Sequence, residues 1–331
     1  MKRISMLFVV LLATALLVNA QDVRKEFYGM WTLDIEDGSV GWLCVNEESG
    51  FLDADLLWQG GSVVPVSSVY FKDDHTLVVT RTNNMRRNEN RSHVMTQTFT
   101  FERTGNNVTG TLTSPSRDGM NMTTRKFTGW RLADPGTAPD LSKVKFGTPV
   151  RLFNGKDLTG WRLINPNQTN GFKVINGDLV NDPVSPEGQR VSFGNLRTDA
   201  EFEDFKLTLE VNIPDGSNSG VYLRGIYEIQ VVDSYGKELD PHNMGALYSR
   251  ITPSEAAEKP AGEWQSMEII LCDRHLTVVL NGKNIIDNKP VYGPTGGAMH
   301  ADVCIPGPIY LQGDHGKVSY RNLVITPILK N

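Results

Sequence analysis

The sequence predicts an all-β protein, an up-and-down β-barrel followed by a two-sheet jelly roll. Three observations carry this. Long helical periodicity is scarce across the 331 residues. Apolar residues instead alternate along short runs such as Trp31-Thr32-Leu33-Asp34-Ile35 and Lys206 to Ile213. Gly, Asn, Asp and Pro separate these runs, with 31 Gly and 17 Pro in the chain, so turns are frequent and connections short.

The chain opens on a basic head (Lys2, Arg3), an apolar run from Met6 to Val18, and Val18-Asn19-Ala20 before Gln21. This pattern predicts a secretory signal peptide over 1–20, cleaved after Ala20. The apolar run is too short for a comfortable span, so membrane insertion is not expected. A net charge of −5 also argues against nucleic acid as a partner. The three cysteines, Cys44, Cys272 and Cys304, are scattered and odd in number, which gives no disulfide framework. Cys44 and Cys272 sit in apolar strand patterns and read as core fillers.

The run Ala133-Asp134-Pro135-Gly136-Thr137-Ala138-Pro139 marks a boundary. The expected organisation is a β-barrel domain over 21–132, a linker over 133–149 and a jelly-roll domain over 150–331. The first domain contains about eight short strands in meander order, which close well into a barrel because closure removes exposed edges. Its reading is a stabilising scaffold. Gly29-Met30-Trp31 at its start and Gly129-Trp130-Arg131 at its end resemble lipocalin-like barrels. That resemblance implies Trp31 packed under Arg131.

The second domain begins with Leu152-Phe153-Asn154-Gly155-Lys156-Asp157-Leu158-Thr159-Gly160-Trp161, followed by an Asn176-Gly177 hairpin signal. Eleven or so strands follow to Ile325, a number that suits two packed sheets with a cleft on the curved inner one. Within them, Asn218-Ser219-Gly220-Val221-Tyr222-Leu223-Arg224-Gly225-Ile226-Tyr227-Glu228-Ile229-Gln230-Val231-Val232-Asp233 reads as a hairpin around Gly225. An arginine, two carboxylates and two amides this close need mutual pairing or a ligand. A three-residue connection (225–227) places Arg224 opposite Glu228 and Tyr222 opposite Gln230. A two-residue connection moves Glu228 and Gln230 to the face of Val221 and Leu223. The sequence leaves both open.

In order, Leu152 to Trp161, Asn218-Ser219-Gly220 with Arg224, Tyr227-Glu228-x-Gln230-x-x-Asp233-Ser234, Gly262-Glu263-Trp264, Gly307-Pro308-Ile309-x-Leu311-Gln312, His315-Gly316 and Arg321-Asn322 closely resemble the bacterial 3-keto-disaccharide hydrolase family. The resemblance covers Val150 to Leu329 and none of the barrel. It implies a concanavalin-like jelly roll acting on sugars oxidised to a ketone at carbon 3, and the signal peptide makes the periplasm the expected location. Gln312-Gly313-Asp314-His315 carries one more glycine than the family's wording, which shifts the loop bearing Asp314 and His315.

Such a ketone acidifies the hydrogen on carbon 2, so a base can start β-elimination of the group on carbon 1, and water can then add. The expected catalytic residues are His315 as base, Arg224 as enolate stabiliser and Glu228. Asn218, Tyr222, Tyr227, Gln230 and Gln312 are expected to bind the carbohydrate. Asp233 and Asp314 are candidate ligands for one divalent metal ion. Plainer readings stand beside these: Arg224 as a permanent salt bridge to Glu228, and His315 as a loop histidine capped by Asp314. His300, in the Gly-rich loop Thr295 to Asp302, is a minor candidate, and Trp161 and Trp264 are core by default. Two other functions remain. Glu228 and Asp233 resemble the acidic strand of a retaining, laminarinase-like glucanase, although five strand steps separate them too far for a retaining pair. A non-catalytic carbohydrate-binding protein has the same fold.

Overall fold

A computed structural model describes residues 23–330. The signal peptide expected over 1–20 lies outside the described residues. The described residues are all-β, with a single short 3₁₀ turn at Val23–Phe27 among them and antiparallel sheets. No helix among the described residues is long and apolar enough to cross a membrane.

The N-terminal sheet has nine strands. From edge to edge they are Val64–Pro65, Phe51–Trp58, Val40–Glu48, Gly29–Ile35, Met122–Arg131, Asn107–Pro115, Arg91–Thr104, Thr76–Asn88 and Ser68–Asp73. The neighbour order is the expected up-and-down meander, but the sheet is not closed into a barrel. Its two edge strands do not pair. The local chemistry explains the seam. One edge strand is two residues long and ends in Pro65, which has no N–H to donate. The next amide, Val66 N, donates back to Ala54 O at 3.1 Å, whereas Ser67 N donates forward to Thr80 O at 2.8 Å.

The chain forms two compact units. Among the described residues, one comprises 23–29, 44–55 and 65–131, and the other comprises 30–43, 56–64 and 132–330. The first is centred on buried Phe27, Leu77, Val79, Phe99, Phe101 and Phe127, with the Phe101 and Phe127 rings 4.9 Å apart. Arg131 donates to the carbonyls of Tyr28 and Glu26 there. Trp31, expected beneath it, is fully buried and belongs to the second unit.

The second unit contains the jelly roll. One sheet orders Phe172–Ile175, Asp178–Asn181, Val318–Leu329, Phe205–Asn212, Trp264–Cys272, His275–Leu280 and Lys283–Pro290. The other orders Trp161–Leu163, Leu196–Thr198, Tyr310–Leu311, Asn218–Leu223 and Tyr227–Val232. Along Phe205–Asn212 every second side chain is buried, the signature of a strand with one face in a core. The two sheets meet face to face, since Ser219 Oγ of one lies 2.9 Å from Tyr320 Oη of the other. The segments 30–43 and 56–64 are held firmly in this unit. Trp42 Nε1 donates to Tyr292 O at 3.1 Å, the Arg250 guanidinium lies 4.2 Å from the Trp42 ring, and buried Thr32 Oγ1 donates to Ala301 O at 2.8 Å. Of the cysteines, Cys272 is buried, which pushes its thiol up to about 12, while Cys44 is half-buried and Cys304 exposed.

Candidate active site

The hairpin register decides which side chains share a face. Leu223 pairs with Tyr227, Tyr222 with Glu228 and Gly220 with Gln230. The connection is therefore Arg224-Gly225-Ile226, one residue earlier than the three-residue alternative and of the same parity as it. Tyr222, Glu228 and Gln230 fall on one face with Asn218. Gly220 is needed between them: a Cβ there would lie 2.4 Å from Glu228 Oε1.

This face lines a cavity of about 250 Å³. Asn218, Tyr222, Glu228, Gln230, Gln312, Asp314 and His315 all border it, joined by Tyr310, Asn195, Tyr248, Gly60, Gly61, Gly296 and Gly297. Glu228 is 4% exposed, and burial raises its carboxyl to about 7. Its partner geometry agrees. The Tyr222 hydroxyl lies 2.8 Å from both Glu228 Oε2 and Gly296 O, and one phenolic proton cannot serve two acceptors. The chain of bonds is complete when Tyr222 donates to the carbonyl and a protonated Glu228 donates to the Tyr222 oxygen. Tyr222 stacks on Tyr310 at 3.8 Å between ring centroids, and Tyr310 Oη donates to Gly297 O at 2.7 Å.

His315 and Asp314 stand at the exposed side of this cavity. His315 Nδ1 is 2.7 Å from Asp314 Oδ1. That bond raises the imidazole's pKa above its ordinary value and lowers that of the carboxyl. It also leaves Nε2 as the nitrogen free to exchange a proton. The Oε1 atoms of Gln230 and Gln312 are buried without a hydrogen-bond donor among the described residues. Such orphaned acceptors need a ligand hydroxyl or water to offset their desolvation. The extra glycine is accommodated by packing, because a Cβ on Gly313 would meet Gly194 O at 2.2 Å. Its N–H donates to Asn195 Oδ1 at 2.8 Å.

Other expected site residues stand elsewhere. Arg224 does not line the cavity and forms no ion pair with Glu228. It occupies the turn with φ 54° and is 2% exposed. Its Nη2 donates to Val303 O at 2.8 Å and its Nε to Ile305 O at 3.0 Å. Tyr227 is fully buried, its hydroxyl without a hydrogen-bond partner among the described residues. Asp233 accepts from Gly216 N at 3.0 Å and is not a cavity residue. Of the two carboxylates named for a divalent ion, Asp314 borders the cavity and pairs with His315, while Asp233 stands outside it. Among the described residues no group of three or more His, Cys, Asp and Glu is placed to hold a metal. The glucanase pair of Glu228 and Asp233 is likewise not brought to one cavity. His300 does not line it either, and burial lowers its pKa.

Several resemblance motifs prove architectural. Asn154 Oδ1 accepts from the Lys156 and Asp157 amides at 2.7 and 3.0 Å, which builds a turn. Arg321 lies 3.9 Å from the Trp264 ring and donates to both Glu210 oxygens. Trp161 Nε1 donates to Leu152 O at 2.7 Å. The residues that sequence reasoning missed are Gly60, Gly61, Asn195, Tyr248 and Tyr310. Gly60-Gly61 carries only a turn signal, and nothing local connects it to a cavity built from residues 195–315.

Fold and site together define a two-sheet jelly roll with a buried acid whose pKa is raised to about 7 and an aspartate-tethered histidine around one cavity. Residues 148–326 match the family described as the 3-keto-alpha-glucoside-1,2-lyase-like domain, and the chain belongs to that family. A 3-keto-disaccharide hydrolase of Bacteroides thetaiotaomicron is 24% identical over 167 residues, covering 42% of this chain and 57% of that protein. This chain thus spans just over half the length of that relative. Two solved structures of candidate glycosyl hydrolases from Parabacteroides distasonis ATCC 8503 are also similar. One is 21% identical with a TM-score of 0.44, covering 55% of this chain and 94% of that one. The second is 27% identical with a TM-score of 0.43, covering 57% and 92%.

Proposed function

We propose that the protein is an exported carbohydrate-active enzyme that cleaves the glycosidic bond of sugars bearing a ketone at carbon 3, by β-elimination with or without rehydration. The observation that supports this is the pairing of Glu228, held near pKa 7, with the His315–Asp314 couple around one cavity. Elimination needs one group to accept a proton and another to donate one, at the same pH. His315 Nε2 takes the carbon-2 proton while Asp314 holds the imidazole and its developing charge. The C–H electrons form the carbon 1–carbon 2 double bond, and the bond from carbon 1 to the leaving oxygen breaks. Glu228, in its protonated form, gives its proton to that oxygen. Water adding to the enone then completes net hydrolysis. The Oε1 atoms of Gln230 and Gln312 accept sugar hydroxyls and fix the ring. Arg224 has no step here, because its guanidinium is committed to backbone carbonyls.

The test is a 3-keto glucoside deuterated at carbon 2. Exchange or loss of the label during turnover is the expected result. A product that keeps all its deuterium, or equal turnover of the unoxidised glucoside, refutes the elimination reading.

A further inference from the structure

We propose that the segment Gln59–Val63, which lies outside the residues matched to the family, is a specificity wall of the cavity. It closes one side, so that the site takes a terminal sugar and not the interior of a glycan. This deepens the proposed function and rests on it for the identity of the sugar.

The segment is placed by contacts along its whole length, all within the second unit. Gln59 Nε2 donates to Asp37 Oδ2 at 2.9 Å and Gln59 O accepts from Gly297 N at 3.3 Å. Ser62 Oγ is 2.9 Å from His242 Nε2, and Val63 N donates to Ser249 Oγ at 2.8 Å. Between these anchors the backbones of Gly61 and Gly296 touch: a Cβ on Gly296 would lie 2.3 Å from Gly61 O and 2.6 Å from Gly61 N. Such an approach is open only to glycine. Gly296 and Gly297 are in turn the acceptors for Tyr222 and Tyr310. The wall is therefore joined through two peptide groups to Tyr222, which bonds Glu228, and to Tyr310, which stacks on Tyr222.

Size sets the consequence. Pockets that enclose drug-sized ligands span roughly 300–1,000 Å³, and this cavity of about 250 Å³ falls below that range. It has room for a single sugar ring, and the wall occupies space that a further ring on that side needs. Gly60 offers a clean probe. It borders the cavity, its φ is not left-handed, and a Cβ there meets nothing within 4 Å.

The experiment measures kcat/KM and thermal midpoint for the full chain, Gly60→Ala and Gly60→Trp, on a 3-keto disaccharide and on a trisaccharide whose central ring carries the ketone. Wild type is expected to favour the disaccharide at least tenfold. Gly60→Trp should lose at least tenfold in kcat/KM on the disaccharide with an unchanged midpoint, and Gly60→Ala should lose less than Gly60→Trp. Equal wild-type use of both sugars overturns the inference, as does a Gly60→Trp variant with wild-type kinetics. Equal losses in the Ala and Trp variants also overturn it, because they mark a backbone requirement and not filled space. If wild type turns over only unoxidised glycosides, the 3-keto reading fails and the same comparison on those sugars decides the wall. If wild type turns over neither, calorimetric binding of methyl glucoside is the readout. Weaker binding by Gly60→Trp then upholds the wall, and equal or absent binding overturns it.

Discussion

Replacing Glu228 by Gln tests the site's central claim, that burial keeps this carboxyl protonated near neutrality. The folded chain holds the group near 7 against an ordinary 4.5. Between those two values the unfolded chain has released the proton and the folded chain still binds it. Stability therefore falls as pH rises from about 4.5 to about 7, and the penalty is constant above that. At about 1.4 kcal/mol per pH unit, the displacement amounts to about 3 kcal/mol. Glutamine cannot ionise, and its Nε2 donates to the Tyr222 oxygen as the protonated acid does, so the bond on to Gly296 O survives. Glu228→Gln should match wild type at pH 4.5 to within about 1 kcal/mol and exceed it by about 3 kcal/mol at pH 8. Urea denaturation across this range, followed by tryptophan fluorescence, measures both. The same variant should lose turnover, since an amide has no proton to give the leaving oxygen. Parallel stability curves for the two proteins would refute the reasoning.

His315→Ala should lower turnover by about 10²–10⁴-fold, the usual worth of a positioned base. Asp314→Asn removes the carboxylate charge that raises the His315 pKa, so the acidic limb of the kcat/KM profile should move to lower pH; an unmoved limb would exclude His315 as its source. Arg224→Ala leaves the carbonyls of Val303 and Ile305 without their donor, which should cost about 1–3 kcal/mol while turnover per folded molecule stays close to wild type. Unchanged stability with lost turnover would instead return Arg224 to the chemistry. Exported protein should have an intact mass corresponding to cleavage after Ala20, and retention of residues 1–20 would exclude a cleaved signal peptide.

Much of this protein was legible because its information is local. Alternation along 206–213 announces a strand with one buried face, and Asn154 to Thr159 announces a turn because the Asn154 side chain bonds amides two and three residues on. The motif order from Leu152 to Asn322 identified the family, yet several motifs, such as Trp264 with Arg321, proved to be packing. The strand around Glu228 and Gln230 stood out for its density of polar residues, and the structure buries both side chains.

What only the tertiary structure decided follows from two physical facts. Side chains alternate with period two, so a one-residue difference in a turn decides which of them face a site. The pairing of Leu223 with Tyr227 put Glu228 beside Tyr222 and consigned Arg224 to the turn. The second fact is that contacts between segments far apart in the chain leave no periodic trace. Gly61 meets Gly296 across more than two hundred residues, and the carboxyl of Glu228 is raised by burial that depends on how distant strands pack. Residue types and their order therefore determined fold class and family, while protonation, the role of Arg224 and the cavity wall emerged only once the chain was folded.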